Sequence, residues 1–477
     1  MPIHLQAASA GLIQYLSPTP IPAPYAVAFS KDCAKQLGIQ DDLSHPELLA
    51  LLAGNQTHYQ NKQCQTYAMA YSGHQFGVWA GQLGDGRAIY LGDWRQYEVQ
   101  LKGAGPTDYS RRGDGRAVLR SSIREFLCSE AMYHLGIPTS RALAVVGSDL
   151  PVRRETIETA AVCTRVAPSF LRIGHIEHYG HNDMQKELEN TLDYLIAHHY
   201  PEVATKPYPY LALLEAIAMR TGQLAAQWQA VGFCHGVLNT DNTSLLGLTL
   251  DYGPFGFLDQ FDREHICNHS DEQGRYSYHR QPDILQWNLY CLASAMLLPL
   301  KKQLQLDEEA AIERIKSSLD VYAKTYRSAF IDLYRQKLGL HTAHPEDPAL
   351  IEQLLQLMHH ERLDYTLFFR DLSEGRQYDA QPSEALLAWL ALYQTRIELE
   401  NMAQDQRLAQ MQTINPKYVL RNHLAQNAIE RAQAKDFSEV ARLLKILENP
   451  YEEQSGAKDY ALPPPADHPP ICVSCSS

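Results

Sequence analysis

Residues 235–253 constrain this chain more than any other stretch. They read His235-Gly236-Val237-Leu238-Asn239-Thr240-Asp241-Asn242 and, after a short strand-like segment, Asp251-Tyr252-Gly253. Asn242 and Asp251 offer oxygen donors flanking a hairpin-like turn. Hard ions such as Mg²⁺ choose such oxygens and complete their shell with phosphate and water. Asn-Thr-Asp-Asn alone can be a turn whose side chains bond their own backbone. Followed in this order by Asp-aromatic-Gly, it favours the metal reading.

Protein kinases use this order. Their catalytic loop, His-Arg-Asp-x-x-x-x-Asn, precedes an Asp-Phe-Gly, and together the two hold metal on nucleotide phosphates. The present chain has the His, the Asn and the Asp-aromatic-Gly. It lacks the base: Val237 stands five residues before Asn242, where a kinase has its catalytic Asp. A carboxylate appears instead at Asp241. The means of holding a metal-nucleotide is kept, while the geometry for ordinary phosphoryl transfer to a hydroxyl is altered.

The chain has 477 residues, enough for two or three subdomains. Its net charge of −13 disfavours a nucleic-acid partner, which wants a basic surface. Any polyanion site must then be a local cluster of Arg and Lys. No segment reaches the roughly 20 apolar residues needed to span a membrane, and Met1-Pro2-Ile3-His4 does not open a signal peptide. A cytoplasmic location is expected. The 9 cysteines show no framework and read as reduced thiols, apart from the terminal pair Cys472 and Cys475.

Periodicity suggests an N-terminal extension (1–64), a small mixed α/β lobe (65–185), a segment carrying the two signature loops (186–280), a helical region (281–461) and a Pro-rich tail with the Cys pair (462–477). The kinase-like loop order makes 65–185 the expected N-lobe-like nucleotide-binding region and 186–280 the expected catalytic core. Strands are predicted at 65–72, 87–92, 97–102, 142–146 and 159–166. Helices are predicted at 117–135, 187–199, 211–231, 310–338, 350–360, 383–399 and 416–434. The expected fold class is α+β, with the kinase-like loop order pointing to an atypical protein-kinase-like bilobal fold with an extended, mostly helical C-terminal region.

Further chemistry clusters before the loops. Gly81, Gly84 and Gly86 lie between strand-like segments, where backbone N–H groups can face phosphate, although a hairpin needs glycine for its own reasons. Lys102 ends a strand. The next helix carries Glu125 and, as a competing partner, Glu130; a strand Lys paired with a helix Glu orients nucleotide phosphates in kinases. The Arg/Gly-rich stretch 108–116 puts local positive charge before a helix N-terminus. Arg165 ends an apolar strand and Arg172 follows a loop; each can pair with a structural carboxylate or grip phosphate bidentately.

Taken together, Tyr71–Gly77, Leu83–Arg87, Leu101–Gly105, Arg112–Arg116, His235–Asn242, Asp251–Phe257 and Asn415–Tyr418 resemble the selenoprotein-O family, whose bacterial members are called YdiU. The resemblance implies a kinase-fold enzyme that moves AMP from ATP to Ser, Thr or Tyr hydroxyls of proteins, with ATP flipped relative to kinases. It further implies that Gly84, Gly86, Arg87, Lys102, Asp114, Gly115, Arg165 and Arg172 hold ATP, with Glu125 pairing Lys102. Asn242 and Asp251 would bind Mg²⁺ (or Mn²⁺), Asp251 also lying next to ATP, and Asp241 would be the base. Implied partners are ATP and protein substrates, with neither nucleic acid nor membrane. The competing readings are a UTP/Mn²⁺-dependent uridylyltransferase, a γ-phosphoryl-transferring kinase and a non-catalytic nucleotide-binding redox sensor. For the tail, Cys475 can bridge to Cys472 or to Cys267, or all three stay free thiols.

Overall fold

The computed structural model describes residues 11–376, 382–465, 467–469, 471, 473 and 474. Its strands, in chain order, are β1 (Ile13–Tyr15), β2 (Tyr25–Phe29), a two-residue hairpin β3–β4 (His58–Tyr59, Lys62–Gln63), β5 (Tyr67–Gln75), β6 (Val78–Gly84), β7 (Ala88–Trp94), β8 (Tyr97–Lys102), β9 (Ala117–Val118), β10 (Arg141–Arg153), β11 (Ile157–Ala167), β12 (Phe233–Cys234) and β13 (Gly256–Phe257). A 9-stranded antiparallel sheet runs β1-β5-β7-β8-β11-β10-β2, with β6 pairing β5 and β9 pairing β11. The stretch 1–64, read from the sequence as an extension, thus supplies strands at both ends of this order.

Two apolar layers sandwich the sheet. On one side, Leu37, Leu48, Leu51 and Leu52 from the short helices Lys31–Leu37 and Pro46–Leu52 meet Ile89, Leu101, Val146 and Val162. On the other, the helix Leu119–His134 lays Ile123, Phe126 and Leu127 into a larger core, which continues through the helix Pro209–Val231 to Leu447. Helices dominate after residue 173, so the class is α+β. The helix Pro209–Val231 packs along Glu308–Lys337 and closes on Gly232 at φ 73°, a left-handed C-cap suited to glycine.

That helix end launches the loops. β12 and β13 pair Phe233 with Phe257 and Cys234 with Gly256, which cinches residues 235–255 into one closed excursion. His235 Nε2 lies 2.9 Å from the Leu250 carbonyl and ties its two arms together.

The predicted helix over 416–434 starts later, at Asn422. Its first residues instead anchor the C-terminal region. The N–H groups of Lys417 and Tyr418 donate to the Pro450 carbonyl, and buried Arg421 pairs with Asp259 (2.6 Å) and Asp364 (2.8 Å). Among the described residues the cysteines are free thiols. Cys472 and Cys475 lie outside the described residues, and with them both candidate bridges. Among the described residues no helix is long and apolar enough to cross a membrane.

Candidate active site

A cavity of about 360 Å³ opens between the sheet and the loops, within the size range of small-molecule sites. Its lining includes Gly84, Gly86, Arg87, Asp114, Gly115, Asp241 and Asp251. Seven predicted site residues from four separated segments therefore meet in one place.

Beneath it lies a charged cluster. Lys102, at the end of β8, sits between Glu125 Oε2 (2.8 Å) and Asp251 Oδ1 (2.6 Å). The open choice of helix partner is thereby decided for Glu125. Glu130 faces away and holds Arg141 at 2.5 Å and Ser30 at 2.6 Å. Arg165, opposite Gln100 in the β11–β8 register, approaches Glu125 Oε1 (3.1 Å) and Asp251 Oδ1 (3.8 Å). Arg172 donates through Nη1 to the Asp241 carbonyl (3.1 Å).

Both arginines are buried, yet Arg165 Nε and Nη2 and Arg172 Nη2 have no hydrogen-bond partner. The Arg165 Nε–Glu125 contact is close without hydrogen-bond alignment. Buried guanidinium donors left open are costly unless a ligand takes them.

The two aspartates are set apart electrostatically. Burial by itself would raise Asp251, but Lys102, Arg165 and Arg172 outweigh it and hold the carboxyl well below the usual carboxylate range. Asp241 is pushed up to about 6 by burial, against a hydrogen bond from Gln75 and the charge of Arg172. Carboxylates with divergent acidity in one cleft suit different tasks: a charge anchor and a proton acceptor. Asp251 has φ 67°, a left-handed conformation that Asp and Asn tolerate better than most residues.

The donor set fits a hard divalent ion. Asn242 Nδ2 donates to the Val237 carbonyl (3.1 Å), so the atom left for a ligand is the amide oxygen. Asp251 Oδ1 accepts from Lys102, which leaves Oδ2. Two protein oxygens match Mg²⁺, which keeps its waters and phosphate ligands. Val237, in the place of the kinase base, has no side-chain base to offer; its backbone carbonyl accepts from Asn242 and its N–H donates to His235 Nδ1 (3.4 Å).

The glycines act through close packing. A Cβ on Gly84 would meet the Tyr109 ring at 2.3 Å, and one on Gly115 would meet the Gly105 carbonyl at 2.2 Å. They let the Arg/Gly loop fold onto the β6–β7 turn, where Thr107 Oγ1 donates to the Asp85 carbonyl (2.9 Å) and Ser110 Oγ to that of Gly86. Arg116 also lines the cavity, but its guanidinium is engaged by the carbonyls of Thr19 and Pro20. Asp114 instead receives Arg154, at 2.9 and 3.0 Å.

Sequence reasoning gave no role to Arg154, Tyr71, Gln75 or Tyr109, all of which line the cavity. Strand alternation carries the signal for two of them. Tyr71, Gly73 and Gln75 share one face of β5, and that face meets the catalytic loop. Gln75 Nε2 donates to Asp241 Oδ2 (3.1 Å), and Tyr71 lies 5.1 Å from the Arg172 guanidinium.

The chain matches the family model described as "Protein adenylyltransferase SelO" over residues 4–448. It belongs to the SelO family. Among similar proteins named "Protein nucleotidyltransferase YdiU", that of Ralstonia nicotianae is 53% identical, covering 97% of this chain and 93% of the relative. Those of Burkholderia pseudomallei (51%; 99% and 94%) and Burkholderia multivorans (52%; 97% and 92%) are comparably close. The SelO/YdiU assignment makes the chain an enzyme of the protein nucleotidyltransferase class.

Proposed function

We propose that this SelO-family chain is a Mg²⁺-dependent protein adenylyltransferase on an atypical kinase-like bilobal scaffold, the sheet and the loop-bearing helical part forming its two lobes. The observation that carries the reading is the set of open, buried guanidinium donors of Arg165 and Arg172 beside Lys102, next to a carboxylate at Asp241 rather than at position 237. A cationic floor of this kind suits a triphosphate turned inward, with its α-phosphate left near Asp241.

In the proposed reaction, a Ser, Thr or Tyr hydroxyl attacks the α-phosphorus of ATP. The new O–P bond forms as the bond to the β-phosphate oxygen breaks, and pyrophosphate leaves. Asp241 Oδ accepts the hydroxyl proton, with Gln75 orienting the carboxylate. Arg165, Arg172 and Lys102 neutralise the leaving phosphates, and Arg87 and Arg154 also line the cavity. Asn242 and Asp251 would hold Mg²⁺, which supplies charge neutralisation on the phosphates when bound. With cytoplasmic ATP as the donor, the product is AMP on protein.

Incubation with ATP labelled at the α- or the γ-phosphate, followed by intact mass measurement, tests this. The expected result is α-label and a gain of one AMP. γ-Label alone would make the chain a kinase. A gain of UMP from UTP with Mn²⁺, without AMP from ATP, would make it a uridylyltransferase, the second member of the same reaction class.

The arginines give a sharper expectation. Arg165→Ala or Arg172→Ala should weaken ATP binding by roughly 10–100-fold, from the loss of charge-assisted bonds of about 1.5–3 kcal/mol. AMP, which lacks the β- and γ-phosphates, should lose far less. The ATP/AMP ratio cancels general damage to the fold, and isothermal titration reads it; equal losses for both nucleotides would place the arginines elsewhere.

A further inference from the structure

Behind the catalytic loop lies a second cluster that the nucleotide reading does not use. His74 at the end of β5, Glu177 on the helix Ile173–His181 and Cys291 on the helix Gln281–Ala295 each bring one ligand-capable atom to within 4.8 Å of the others. We propose that His74, Glu177 and Cys291 form a binding site for a soft-to-borderline divalent transition ion of the Zn²⁺ type.

The donor set argues for the class. Imidazole nitrogen, carboxylate oxygen and thiolate sulfur together suit Zn²⁺ or Co²⁺ and disfavour Mg²⁺, which wants oxygen alone. Around tetrahedral zinc, ligand atoms stand roughly 3.3–3.7 Å apart, given bonds of about 2.0–2.3 Å. The present spacing therefore needs side-chain adjustments of about an ångström. Three protein ligands leave a fourth position for water or an exogenous group. His181, one helical turn beyond Glu177, has its ring centroid 6.4 Å from that of His74.

A second observation points to a ligand independently. Glu177 is fully buried; its Oε1 meets His74 Nδ1 at 2.6 Å, but its Oε2 has no hydrogen-bond partner. A buried carboxylate oxygen without a donor is costly, and a cation satisfies it directly. The Cys291 thiol is held high, at about 12, by burial and by Glu177. Without metal it stays protonated and inert. On binding, the ion takes the sulfur lone pair and the thiol proton leaves to solvent, so a metal–thiolate signal reports occupancy.

The position gives such a site a structural consequence. His74 N–H donates to Thr240 Oγ1 (2.8 Å), one residue before Asp241. An ion here would brace β5 and both helices against the catalytic loop from outside the nucleotide cavity. Such a site would serve AMP, UMP or phosphoryl transfer alike.

The test is Co²⁺ titration of the full chain carrying Cys472→Ser and Cys475→Ser, which removes the tail thiols as competitors. A stoichiometric thiolate-to-cobalt charge-transfer absorption is expected, reversed by Zn²⁺ but not by equal Mg²⁺. It should be accompanied by quenching of tryptophan fluorescence, since Trp79 and Trp287 lie 5.1 and 5.3 Å from the His74 ring. Cys291→Ser should abolish the absorption, Glu177→Gln should weaken Co²⁺ by about tenfold or more, and Asp251→Asn should leave the absorption intact. Absence of the absorption, or its survival in Cys291→Ser, overturns the site. Should Cys291→Ser fail to fold by circular dichroism, unchanged Co²⁺ affinity in Glu177→Gln overturns it equally.

Discussion

An Asp251→Asn chain should transfer nucleotide to protein on the order of 10³-fold more slowly than the parent, because metal-assisted charge neutralisation is worth several kcal/mol and each 1.36 kcal/mol is about tenfold. Asn is the informative substitution. It keeps the size of the side chain and tolerates the left-handed backbone at φ 67°, whereas Ala adds backbone strain of about 1–2 kcal/mol to the loss of charge. The second readout is nucleotide affinity with and without Mg²⁺. In the parent, Asp251 and Glu125 offset Lys102, Arg165 and Arg172. With Asp251 neutral, the cluster of Lys102, Arg165 and Arg172 loses the carboxylate that these three cations share. Metal-free ATP should then bind at least as well as before, while Mg²⁺ should no longer strengthen binding. A near-normal rate, or an undiminished Mg²⁺ effect, would remove Asp251 from the metal site.

What the sequence shows of this arrangement depends on how local each signal is. The helix Leu119–His134 is readable because its apolar residues repeat near 3.6, and the strands β7, β8, β10 and β11 because each carries a short run rich in apolar residues. The partner of Lys102 is not. Glu125 and Glu130 are both buried on one helix, and their five-residue spacing turns them about 140° apart. Only the sheet order, which puts Lys102 on β8 near one and Arg141 on β10 near the other, separates them. β1 and β2 are three and five residues long amid prolines, too short for alternation to register, so their place in the sheet emerges only from pairing. The Asp114–Arg154 contact joins a loop to the β10–β11 turn, and nothing in either segment names the other. The glycines were visible, but their main constraint, the approach of Tyr109 and Gly105, is tertiary.

Asp241 offers the other large effect. Asp241→Ala should lose about 10²–10⁴ in rate, the usual worth of a general base, while keeping most ATP affinity: Arg172 bonds the backbone carbonyl at this position, which the substitution leaves in place. A matched collapse of ATP binding would instead make Asp241 a nucleotide or metal ligand. Its acidity adds a pH signature. A base must be ionised, and burial pushes this carboxyl up to about 6. kcat/KM, which reports the free enzyme, should therefore fall about tenfold per unit below pH 6 and level off above it. Asp85 is also pushed up to about 6 by burial, so the limb alone does not assign the group. Gln75 does. Its Nε2 donates to Asp241 Oδ2 and stabilises the ionised form, so in Gln75→Leu the carboxyl should become a weaker acid and the acidic limb should move to higher pH. A limb that stays in place in Gln75→Leu belongs to another group, with Asp85 the first candidate. One that moves ties the rate to the proton on Asp241.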